Sequence, residues 1–139
     1  MSLDRFLEAQ CHVYDDALVE LSGGRKQTHW MWFIFPQLSG LGHSPTARLY
    51  AIKNLSEAHA FLNHPILGAR LRECSEVLFR IQGRSANDIF GSPDDMKLKS
   101  SMTLFASVAG KETLFTAVLA KYFHGEPDIL TLDKVSSEL

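Results

Sequence analysis

The run His29-Trp30-Met31-Trp32-Phe33-Ile34-Phe35, halted by Pro36, limits what this chain can fold into more than any other feature. It is too short and too uniformly apolar for periodicity to separate a buried strand from a buried helix. A strand here would need partners for its backbone N–H and C=O groups, and no second alternating or β-branched stretch occurs elsewhere in the sequence. The run is therefore read as a short buried helical segment, and the chain as all-α.

Glycines and prolines divide the remainder into further helices. Leu3, Phe6, Leu7, Tyr14, Ala17, Leu18 and Leu21 recur at helical spacing, with Ser2 as N-cap and Gly23-Gly24 as the stop, which predicts a first helix of about 20 residues. Ser44-Pro45 is an N-cap followed by proline at the first helical position, opening a short helix to about Lys53. Ser56 with Glu57 opens another, broken at His64-Pro65. Beyond it Leu67, Leu71, Cys74, Leu78 and Ile81 form one narrow stripe that ends before Gly83. Ser85 to Phe90 adds a turn. Ser92-Pro93-Asp94-Asp95 has the form of a capping box and opens a helix to Ala109. Lys111 to Phe123 and Asp128 to about Val135 supply the last two, and residues 136–139 are expected to fray. The expectation is one all-α domain over residues 1–139, of about seven short-to-medium helices with short loops.

Composition excludes several classes. A chain of 139 residues, 45% hydrophobic and 22% charged, is ordinary globular material with enough length for one core. No apolar run approaches the roughly 20 residues of a membrane-spanning helix, and Met1 to Phe6 is amphipathic where a signal peptide would be apolar. A soluble, cytoplasmic protein without membrane contacts is expected. The 14 Lys and Arg against 16 Asp and Glu give a net charge of -2, which argues against nucleic acid as a partner. Two cysteines, Cys11 and Cys74, cannot build a disulfide framework, and Cys74 falls in the middle of an apolar stripe. No histidine pair has the i, i+4 metal spacing with a third ligand in view, so neither metal nor cofactor is expected.

Two blocks carry candidate chemistry. The first holds Arg25, Lys26, His29, Trp30 and Trp32, followed by Gly40-Leu41-Gly42-His43-Ser44 at the entrance to the helix that carries Arg48. Glycine-loop amides can cradle an anion, Arg, Lys and His supply positive charge, and an indole supplies a stacking face. The plainer reading is a glycine turn beside tryptophans that fill the core. In the second block, Ser100 and Thr103 lie nearly opposite the apolar face of Leu98, Met102 and Phe105, flanked by Lys97 and Lys99. They line either a polar pocket or a close helix contact. Asp94 in the first turn of that helix favours the helix dipole or, facing a site, serves as a general base.

The string from His29 to Gln37, with Gly40-Leu41-Gly42 and Ser44 after it, resembles the signature of the domain-of-unknown-function family numbered 1810. Further blocks match in order: Tyr50-Ala51-Ile52, His64-Pro65, Ile89-Phe90-Gly91, Lys97, Ser100 through Phe105, Tyr122, Gly125 and Asp128. The resemblance implies an all-helical, bacterial-type cytoplasmic protein with no established activity. Together with the two blocks it suggests a polar pocket for a small anionic metabolite, such as a nucleotide or ribose phosphate. His29 and Asp94 are then the candidate acid–base groups. Lys26, Trp30, Trp32, Gln37, Gly40, Gly42, Ser44, Arg48, Lys97, Ser100 and Thr103 are the candidate binding residues. The alternative is a protein-interaction module that uses the aromatic and glycine-bearing segment as its docking surface.

Overall fold

The computed structural model describes residues 3–138, and every named element in them is an α-helix. In chain order these are α1 Asp4–Gln10, α2 Tyr14–Ser22, α3 Met31–Ile34, α4 Pro45–Leu49, α5 Leu55–Asn63, α6 Leu67–Arg80, α7 Ala86–Phe90, α8 Asp94–Val108, α9 Leu114–Phe123 and α10 Ile129–Glu138. The all-α expectation holds, but the described residues contain ten helices where about seven were expected. The predicted first helix is two, α1 and α2, separated at Cys11–Val13. The apolar stripe is silent between Leu7 and Tyr14, and the chain uses that gap to turn. Buried Gln10 holds the turn by donating to the Phe33 carbonyl at 2.8 Å and accepting from Arg70 at 3.3 Å. None of the described helices is long and apolar enough to cross a membrane.

Helix α8 is the centre of the molecule. It packs against α5, α7, α9 and α10, and it buries Leu98, Met102, Leu104 and Phe105 together with Ser100, Ser101 and Thr103. Small hydroxyls on its second face let neighbouring backbones approach closely. The predicted capping box at Ser92 is absent: Pro93 flanks the helix without a side-chain cap, and the Asp95 carboxylate accepts instead from the Asn87 side-chain amide and the Met96 N–H. Other boundaries follow local chemistry. Ser44 accepts from the Ala47 amide at 3.1 Å with Pro45 next to it, Asn54 rather than Ser56 caps α5, and Ser85 and Asp88 form a capping box on α7. Helix α10 continues to Glu138, whose carboxylate accepts from the Leu55 amide at 2.9 Å; Leu139 lies outside the described residues.

The aromatic run is interior, as expected, and Trp30 is 0% exposed. Trp30, Phe35 and Phe90 form a trio with ring centroids 6.1 to 6.4 Å apart, which fixes α3 against α7. The chain after it makes one isolated parallel bridge, Leu38 to Ile52, through Ser39 N–H to the Ile52 carbonyl and Ile52 N–H to the Gln37 carbonyl.

Two charged side chains hold the loops around this run. Arg5 on α1 spans the 49–57 segment, donating to the carbonyls of Leu49 at 2.8 Å and Ala51 at 2.7 Å and pairing with Glu57 at 2.7 Å. Glu20 on α2 organises the following turn, accepting from the amides of Gln27 and Thr28, the Thr28 hydroxyl and the Trp30 indole at 2.6 to 2.9 Å. Burial alone would raise the Glu20 carboxyl, but those four donors, the Thr28 hydroxyl foremost, outweigh it and hold the carboxyl down at about 2.

Two predictions follow from these residues. Arg5→Lys keeps the charge but cannot span three acceptors, and is expected to lower unfolding free energy by about 2 kcal/mol in urea titration; a change under about 0.5 kcal/mol would contradict the role given to the guanidinium fork. Glu20→Gln turns an amide N–H toward donors and is expected to cost about 2 kcal/mol at neutral pH. Because the Glu20 carboxyl is depressed from 4.5 to about 2, its contribution is full above about 4.5 and disappears as pH falls through about 2. The stability gap between wild type and variant should therefore close over that window. A gap unchanged on acidification would show that the carboxylate does not organise the turn.

Candidate functional site

The two candidate blocks meet, and Asp94 is where they do so. The Lys26 amide donates to the Ile89 carbonyl at 2.7 Å, which with the aromatic trio lays the 25–30 turn alongside the start of α8. Lys26 Nζ then lies 3.0 Å from one Asp94 carboxylate oxygen and Lys97 Nζ 3.4 Å from the other. The Lys26, Asp94 and Lys97 side chains are only 10%, 19% and 24% exposed, so the interaction is less screened than a surface pair. Two cations on one carboxylate leave one net positive charge. Each lysine also lies over an indole, Lys26 at 5.3 Å from the Trp30 ring centroid and Lys97 at 5.2 Å from Trp32.

Solvent-reachable space adjoins both ends of this chain of contacts. Arg25, Lys26 and Gln27 border an open hollow of about 450 Å³. On the other side, half-buried Trp32 joins Gln37, Leu38, Gly42, Ala47, Tyr50 and Ala51 around a narrow notch of about 10 Å³. Gly42 is needed there, because a Cβ on it would stand 2.6 Å from the Ala47 methyl.

The remaining candidate residues are placed as follows. His29 is exposed on the turn, and no hydrogen bond or ion pair joins it to Asp94 or Ser100 among the described residues. Ser100 donates to the Met96 carbonyl of its own helix. Thr103 donates to the Lys99 carbonyl at 2.8 Å and accepts from the Asp128 amide at 2.9 Å, which ties α8 to the approach of α10. Both hydroxyls are buried and bond their own helix, and Thr103 also takes part in a contact outside it. Ser44 is occupied as a helix cap, and Arg48 is exposed on α4. Gly40 lies on an exposed turn and is covered by the side chain of Lys134.

Sequence reading missed Glu20, Tyr50 and Lys134. Glu20 alone left a trace, an acidic residue shortly before a polar turn. Cys74 is fully buried, as its stripe position implied, and burial raises its thiol to about 12 despite its contact with the Tyr14 hydroxyl. It is a core residue rather than a nucleophile.

The crystal structure of the conserved hypothetical protein Rv1873 from Mycobacterium tuberculosis is similar over almost the entire chain. The two share 51% sequence identity and a TM-score of 0.95, with 96% of each chain covered. No curated protein matches. The family model described as a protein of unknown function (DUF1810) matches residues 1–135, and this chain belongs to that family.

Proposed function

We propose that the protein binds a small anionic metabolite, a nucleotide or sugar phosphate, over the surface formed by the 25–32 turn and the first turn of α8. The observation that carries this reading is the pair of lysines sharing Asp94. Their positive charge exceeds the carboxylate's, and it lies between a basic hollow and the half-buried Trp32 indole. The surplus charge attracts an anionic ligand to this face, and the Trp32 ring offers an apolar face to a base or sugar. Asp94 works in this arrangement as the residue that positions both lysines. His29, exposed nearby on the same turn, is free to meet a ligand from the solvent side. The docking-surface alternative has less material available, since Trp30, Met31, Phe33, Ile34 and Phe35 are buried and Trp32 is half-buried.

The test is a thermal-shift panel of AMP and ribose phosphate, with adenosine and ribose as uncharged controls. At about 100 times its dissociation constant a phosphate-bearing ligand adds about 2.7 kcal/mol of stability. The expected result is a rise with the phosphorylated compounds, none with the neutral ones, and loss of that rise in a folded Lys97→Gln variant. Absence of any shift from phosphate-bearing compounds, or equal shifts from the neutral controls, would overturn the reading.

A further inference from the structure

Four lysines of this chain are half-buried: Lys26, Lys97, Lys99 and Lys134. Three of them face a carboxylate, Asp94 for Lys26 and Lys97 and Glu126 for Lys99 at 4.0 Å. Lys134 is the exception, with no ion-pair partner among the described residues. Its ammonium is folded over the turn at Gly40, where Nζ and Cε stand 2.6 and 3.1 Å from the place a Cβ would occupy. Gly40 also has a φ of 95°, a conformation that strains any side chain there, and a Cβ at that position would have to displace the amine.

The amine is held at the turn by its helix. Thr131 and Val135, on either side of Lys134 along α10, are buried, and Glu138 at the helix end is bonded to the Leu55 amide. An ammonium without a counter-charge attracts an arriving anion. The turn is open to one, since Ser39 and Gly40 are exposed. Its flanking residues Leu38 and Gly42 both line the notch that Trp32 and Tyr50 share. The turn that Lys134 covers thus falls between two residues that line the notch, and it is reached from a helix that sequence reading did not connect with the site.

We propose that Lys134 is the residue that meets the phosphate group of the ligand, a phosphomonoester, at the Gly40 turn. The proposal rests on the reading above for what the rest of the ligand is, and on the Lys134–Gly40 geometry alone for where its phosphate goes. Lysine acts here as a point charge, which suits a phosphate approached from one side.

The experiment is an amide NMR titration of the full chain with inorganic phosphate, at ionic strength held constant with chloride. Saturable shifts of the Gly40 and Gly42 amides are expected, weakened about tenfold in Lys134→Met and Lys134→Gln, and weakened likewise in Gly40→Ala, whose methyl displaces the amine. No saturable shift in the wild type, or wild-type affinity kept in both Lys134 variants, would overturn the assignment. Repeating the titration with ribose phosphate separates the two claims. Binding lost in Lys97→Gln and unchanged in Lys134→Met removes Lys134 and leaves the functional reading in place. Inorganic phosphate held at the Gly40 turn, with no response at Trp32 to any sugar phosphate, supports Lys134 and removes the functional reading.

Discussion

One carboxylate organises the face that carries the candidate site. Asp94 begins the central helix, and its two oxygens take Lys26 from the turn after α2 and Lys97 from one turn further along α8. Removing a single partner from such a group leaves the others charged and partly desolvated, which costs more than the net worth of the intact pair. The cluster therefore sets a relative position: the basic turn cannot slide along α8 without abandoning charge. Lys26 and Lys97 also lie over Trp30 and Trp32, so the same contact orients the two indoles of the aromatic run.

Around this point the fold is built from short helices, several of one or two turns, which alone would be marginal. Their stability comes from the apolar core they share, and side chains that bond distant backbone hold the loops between them. Glu20 fixes the turn from Gln27 to Trp30, Arg5 fixes the segment from Leu49 to Glu57, and Glu138 reaches Leu55. Each satisfies loop amides or carbonyls that no regular element would pair, and together they shape the notch beside Trp32. A surface assembled from loops in this way owes its geometry to a few charged anchors more than to helix packing.

Much of the architecture was legible in the residues. The lack of any partner for the 29–35 run implied helices, Ser44-Pro45 announced α4, and the Cys74 stripe announced the buried face of α6. The errors have specific origins. The first helix was read through a gap in its stripe, and only Gln10 reaching the Phe33 carbonyl across the fold reveals a turn there. Ser100 and Thr103 fit a pocket wall and a close helix contact equally well on a helical wheel; their bonds to carbonyls four residues back are local, and the Asp128 amide on Thr103 is the tertiary outcome. Lys26, Trp32, Asp94 and Lys97 were recognisable as candidates, yet that they touch depended on Phe90 packing on Trp30. Lys134 gave no local signal, because its meaning lies in the empty Cβ position of a glycine far away in the sequence.

Asp94 couples the two segments, and a double-mutant cycle measures that coupling directly. Unfolding free energies of wild type, Lys26→Met, Asp94→Ala and the double variant should show an interaction of about 1–3 kcal/mol, since the two side chains are in contact and largely shielded. Additivity within about 0.5 kcal/mol would mean that the pair contributes nothing to holding the turn on α8, and the site would lose its frame.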